Sequence, residues 1–164
     1  MVLKPNLVLP SAVVSVGDLN RLSRELSSLN DFFLSAAARK AGAAPPPRVT
    51  RILNSLATET NKYNLLDAKQ RQNLAQELKT IQAIAPVMHI SFASEPSPQA
   101  IERILVWLRT NIHPYALLQV GLQPTIAAGC VLRTTNQVFD MSLRSYLDRQ
   151  KDYLVALVKG AVGD

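Results

Sequence analysis

A chain of 164 residues has room for one domain or two small ones, and at 48% hydrophobic and 18% charged it can bury a core instead of staying disordered. Aromatics make up only 5%, so that core must come from Leu, Ile, Val and Ala. The net charge of +6, with a pI near 9.8, asks for an acidic partner; the basic residues are nonetheless scattered, whereas a nucleic-acid binder gathers its charge on one stripe. The single cysteine, Cys130, excludes an internal disulfide and any cysteine-built metal site, and its apolar neighbours make it a small buried hydrophobe. No stretch reaches the roughly 18 apolar residues of a membrane span, and Pro5 and Pro10 break the N-terminus too early for a signal peptide.

Residues 1–16 read as an extended tail. A helix is expected from Asp18, taken as its N-cap, with Leu19, Leu22, Leu26, Leu29 and Phe33 recurring at steps of three and four. That narrow seam suits one or two partner helices and marks a possible docking surface. Lys40 and Gly42 suggest its C-terminus, and Pro45-Pro46-Pro47 a stiff spacer. Val49, Ile52, Leu53 and Leu56 predict a short second helix entered through Pro47 or Arg48. A third, starting after Asn64 or Asp67, carries Leu74, Leu78, Ile81 and Ala85 on one face and is closed by Pro86.

Past Pro86 the pattern changes to strands. Val87–Phe92 alternates, and Pro96-Ser97-Pro98 announces a helix with Ile101, Ile104, Leu105 and Leu108 as its stripe. Trp107 reads as core or partial core, or else as an aromatic anchor for a partner. Strands are expected at 115–120, 128–133 and 137–139, the last two joined by a tight turn at Thr134-Thr135-Asn136. A final helix from Ser142 places Leu143, Leu147, Leu154 and Leu157 on one stripe, with Gln150 in the gap. The fold class is therefore α+β: a helical N-terminal domain (1–85) followed by a small β-α-β-β-β-α module (86–164).

Chemistry is scarce. His89 sits in a strand and His113 at a helix end, neither with an Asp, Glu or Cys at metal-ligand spacing. No phosphate-binding glycine loop or nucleophile elbow occurs. Glu25, Glu59, Glu77 and Glu102 read as surface or capping residues away from the apolar stripes. No catalytic residue, metal or cofactor is expected.

One segment carries an identity. Pro124, Gly129, Arg133, Val138, Asp140, Ser142, Arg144 and Leu147 fall in an ungapped register, Gly-x-x-x-Arg followed by Val-x-Asp-x-Ser-x-Arg. This resembles the C-terminal signature of the ATP synthase delta subunit family, which in mitochondria is the oligomycin-sensitivity-conferring protein. The resemblance covers residues 86–158. Gln123, Ala128, Met141 and the Thr135-Asn136 turn depart from the family pattern, and the N-terminal half is shorter than the family's six-helix domain. It implies a non-catalytic stator subunit, peripheral to the cytoplasmic face of a bacterial membrane. The helical domain would dock to the alpha and beta subunits of the catalytic head, and the C-terminal module to the b-subunit stalk. Within the motif, Gly129 is expected to allow a close backbone approach, Ser142 to N-cap the last helix, and Asp140 to pair with Arg133 and Arg144. A second reading, a basic nucleic-acid- or ribosome-associated module, rests on the pI alone.

Overall fold

The computed structural model describes residues 6–38, 45–134 and 136–161. Helices and a four-stranded mixed sheet give the expected α+β class. The chain forms two compact units, one of Met1–Val87 with Glu102–Leu117, the other of Met88–Ile101 with Leu118–Asp164. Residues 102–117 thus group with the N-terminal helices.

In the helical unit, α1 (Val16–Ala38), α2 (Arg51–Asn54) and α3 (Ala68–Ile84) surround one core. Helix α1 begins two residues before the expected start. Ser15 Oγ accepts from Asp18 N at 3.2 Å while the Asp18 carboxylate accepts from Ser15 N at 2.8 Å. Ser15 is thus the cap, and Asp18 closes a reciprocal capping box from inside the helix. The expected terminus at Lys40 and Gly42 lies outside the described residues. Asn20 and Ser23 meet Gln82, and Asn30 meets Arg71, so α1 and α3 run antiparallel.

Helix α2 starts later than its apolar spacing suggests, because Thr50 caps it: Thr50 Oγ1 accepts from Leu53 N at 3.3 Å, and Glu25 on α1 receives both Thr50 N and Thr50 Oγ1. It continues as a π-helix over Ser55–Thr60, which buries Leu56 and Ala57. Its wide turns are closed by Tyr63 N on Ala57 O at 2.6 Å and by the Asn61 amide on Leu56 O at 2.7 Å. Helix α3 starts at an Asp67 cap and stops before Pro86 as expected, burying Leu74, Leu78 and Ile81.

Residues 6–14, expected as a tail, are part of this core: Leu7, Leu9 and Val13 are buried in it. No helix or sheet ladder pairs this segment's backbone; side chains do. Asn61 takes both polar groups of Val8, its Oδ1 accepting from Val8 N at 2.7 Å and its Nδ2 donating to Val8 O at 3.0 Å. Arg109, from the end of α4 (Pro98–Asn111), donates to Leu9 O, Pro10 O and Val13 O, and through Nε to Ala116 O at 3.2 Å.

In the second unit the sheet order is β2-β1-β3-β4, with β1 at Val87–Phe92, β2 at Leu117–Leu122, β3 at Gly129–Arg133 and β4 at Val138–Ser142. Strand β1 is antiparallel to β3, and β3 to β4. Strand β2 starts two residues later than the sequence suggests and β4 ends three later, because backbone pairing, not the apolar run, sets their limits. Alternation places Met88, Ile90, Cys130, Leu132, Phe139 and Met141 on one sheet face and His89, Ser91, Val131, Arg133, Val138 and Asp140 on the other. Thr134 and Gln137 close the β3–β4 turn, Thr134 N donating to Gln137 O at 2.8 Å; Thr135 lies outside the described residues. Helix α5 (Leu143–Ala161) follows β4 without a loop, and its described side chains are exposed apart from the half-buried Ser145.

Candidate functional site

Of the signature residues, Gly129, Asp140, Ser142 and Arg144 lie near the junction between β3, β4 and α5, while Arg133 and Val138 pair at the other end of the hairpin. Gly129 opens β3 at φ +90° opposite Ser142, and a Cβ there would run into Met141 O and stand 3.1 Å from Ser142 Cα. Only glycine fits this backbone. Ser142 ends β4, is buried, and N-caps α5 by accepting from Ser145 N at 3.1 Å. Asp140, exposed in the middle of β4, accepts from Ser142 N at 2.9 Å. Hydrogen bonding from the Ser142 side chain, then from its backbone, holds the Asp140 carboxyl below the usual aspartate range, with Arg149 and Arg144 adding to the shift.

The approach to Gly129 is strained. Pro124–Ile126 makes a 3₁₀ turn, and Ala127 follows at φ 66°, ψ −56°, with Ala128 N donating to Ile126 O at 2.9 Å. That is a γ-turn of the rarer hand, centred on a residue with a Cβ. Its product is a fixed Ala128 carbonyl that accepts Leu143 N, the first amide of α5, at 2.9 Å. The exposed Pro124 starts this turn and does nothing further.

Among the described residues Asp140 makes no close ion pair with Arg133 or Arg144; Arg144 acts on it only as a nearby charge. Arg144 Nε lies 4.0 Å from Asp148 Oδ2, one helical turn along, with both side chains about three-quarters exposed, so the pair is worth little. Arg133, exposed, stands opposite His89 on β1 and Val138 on β4.

What this junction presents is apolar surface. Phe139 and Met141 on β4, and Leu143, Tyr146, Leu147, Tyr153 and Val155 on α5, are all exposed, Tyr146 by 61% and Met141 by 56%. The backbone of α5 carries the expected Leu154 and Leu157, whose side chains lie outside the described residues. These exposed apolar side chains are grouped on β4 and α5, with Val155 off the arc of the other helical residues.

The seam on α1 is the opposite case. Leu19, Leu22 and Leu26 belong to the core of the helical unit and Leu29 is 3% exposed, because α2 and α3 already occupy that face. They have no surface to offer a partner. The end of the seam reaches an opening: Leu29 and the half-buried Phe33 line a cavity of about 510 Å³ together with Pro46, Pro47, Tyr63 and Leu66, among others. Behind Phe33 lies the buried Arg71 guanidinium, 4.3 Å from the ring centroid and donating to Leu65 O at 2.8 Å.

Other residues take unexpected places. Trp107 is 56% exposed, since Leu105 and Leu108 turn the buried side of α4 away from it. Glu77, expected clear of the apolar stripe, is half-buried at its edge beside Ile81, and its Oε2 is buried with no hydrogen-bond partner among the described residues. Burial first, then the charge and hydrogen bond of Glu77, raises the Tyr63 phenol pKa; burial and the Glu77 charge raise that of Tyr115. Cys130 is half-buried, and burial raises its thiol pKa, which keeps it protonated. His113 Nδ1 accepts from Tyr115 N at 3.2 Å and finishes α4. Sequence reasoning missed Asn61 and Arg109 as clamps; an arginine with no acidic neighbour on the stripe side of its helix was the available signal.

Among the described residues no group of three His, Cys, Asp or Glu side chains is placed to hold a metal ion, and no helix is long and apolar enough to cross a membrane. Compared with protein-family models and with curated proteins, the chain matches none.

Proposed function

We propose that this chain is a non-catalytic peripheral-stalk subunit of an F-type proton-transporting ATP synthase, joining the catalytic head to the membrane-anchored b-subunit stalk. The observation that carries the reading is the β4–α5 junction. The residues that resemble the delta-subunit signature serve there to build a hairpin and start a helix, and that strand and helix keep their apolar side chains exposed. A signature spent on backbone geometry instead of on reacting groups suits a part that must be gripped. On this reading β4 and α5 hold the stalk, while the opening beside Phe33 and Leu66, and not the buried leucine seam, receives a helix of the head. The work is mechanical: the subunit resists the torque of the rotor, so that rotation drives synthesis instead of spinning the head.

The test is purification of the tagged full-length chain from detergent-solubilised membranes of the native cell, with mass spectrometry of what accompanies it. Alpha, beta and b subunits in stoichiometric amounts are expected. An intact rotary synthase on washed membranes that lacks this chain would end the proposal.

A further inference from the structure

The exposed face of α5 carries a charge pattern as well as an apolar one. At about 100° per residue, Leu143, Tyr146, Leu147, Gln150 and Tyr153 fall within an arc of about 120°. Lys151 and Arg144 border this arc on one side and Arg149 borders it on the other; all three are exposed. The acidic Asp148 lies at the back of the helix, and Asp140 on β4 feels both Arg149 and Arg144; both carboxylates are exposed, too screened by water to neutralise the flanks. Apolar centre and cationic margins together define what fits. A helix laid along the arc brings its own margins against Arg144, Lys151 and Arg149, where carboxylates are favoured and ammonium groups repelled. Gln150, exposed in the middle of the arc, adds a polar group that the occupant must answer.

We infer that the occupant of α5 is an amphipathic helix whose apolar stripe is bordered on both sides by Asp or Glu, and that these carboxylates select it through Arg144, Arg149 and Lys151. The inference rests on the stalk reading above and specifies the partner's surface. Its fate is decided by a separate measurement, because a failed charge rule leaves co-purification of synthase subunits untouched.

The probes are two synthetic helical peptides of about three heptads with the same leucine stripe, one flanked by glutamate and one by lysine. Their binding to the full-length chain is followed by fluorescence anisotropy at low and at high salt. The glutamate-flanked peptide is expected to bind about tenfold more tightly at low salt, with the preference shrinking as salt rises. The R144E/R149E/K151E chain should reverse the preference. These substitutions sit on exposed positions, and an unchanged circular dichroism spectrum confirms that the variant folds. Equal binding of the two peptides, binding of neither, or a preference that survives the charge reversal overturns the inference. So does binding of phosphatidylglycerol vesicles through the same three residues while both peptides fail, since the occupant is then a lipid surface.

Discussion

Gly129 and Ala127 occupy neighbouring strained positions with opposite chemistry. Gly129→Ala would place a methyl group against Met141 O at a positive φ, and the β3–β4 pairing must open to admit it. A loss of about 3 kcal/mol is expected in urea unfolding. Ala127→Gly should act in the other direction, gaining about 1 kcal/mol as the γ-turn loses its Cβ strain. Asp140 gives a pH signature. Its carboxyl pKa is lowered in the folded chain, so its contribution is present above the ordinary aspartate range and lost as pH falls through the folded value. Far-ultraviolet circular dichroism on acid titration should show α5 fraying as Asp140 protonates, and Asp140→Asn should flatten that transition. Of these residues, Gly129 and Ser142 were legible in the sequence because their roles follow from local backbone needs. The strain at Ala127 was not, since nothing in an alanine announces a positive φ. Nor was the Arg144–Asp148 pair, which competes with the expected Asp140 contact merely by standing one turn along the helix.

At the scale of elements, apolar period found the five α-helices and four strands of the described residues, though not the π-helix at Ser55–Thr60 or the 3₁₀ turn at Pro124–Ile126, while side-chain caps and ladder pairing moved the ends. Ser15 and Thr50 shifted two helix starts, because a hydroxyl that satisfies a helical amide decides the first turn more firmly than the first leucine does. The period also misled: a step of three and four reports that a face is buried, not what buries it, and the seam from Leu19 to Leu29 proved to be occupied from within. The N-terminal segment was illegible for a related reason. Its partners are single side chains far along the chain, and no periodic pattern records them. Burial of Arg109 lowers its pKa to about 10, which still leaves it charged at neutral pH, and the backbone carbonyls it meets supply acceptors for that charge. Arg109→Ala strands those carbonyls and should cost about 3 kcal/mol, with limited proteolysis cutting within residues 6–14 before the rest of the helical unit is attacked.

For the molecule as a whole, the exposed face of β4 and α5 separates stability from assembly. Leu147→Asp adds a charge to a surface already in contact with water, so the unfolding midpoint should stay within about 0.5 kcal/mol of the parent. On the stalk reading, the same substitution should remove b subunit from the tagged preparation. Loss of both stability and partners would show that Leu147 belongs to the fold, and loss of neither would place the grip elsewhere. The net charge of +6 could indicate an acidic partner but not where that partner sits, since only the helix geometry sorts Arg144, Arg149 and Lys151 to the margins of one apolar arc.

The clamp formed by Arg109 also constrains the order of events during synthesis. Leu9 and Arg109 are separated by 100 positions, so the opening residues of the polypeptide must wait for α4 before their carbonyls are met. A nascent chain with only α1 to α3 outside the ribosome carries Leu7, Leu9 and Val13 without the side chain that fastens them. Closing so long a loop is slow and leaves apolar surface uncovered in the meantime. The helical unit is therefore sealed late, by a residue translated after β1, the first strand of the sheet.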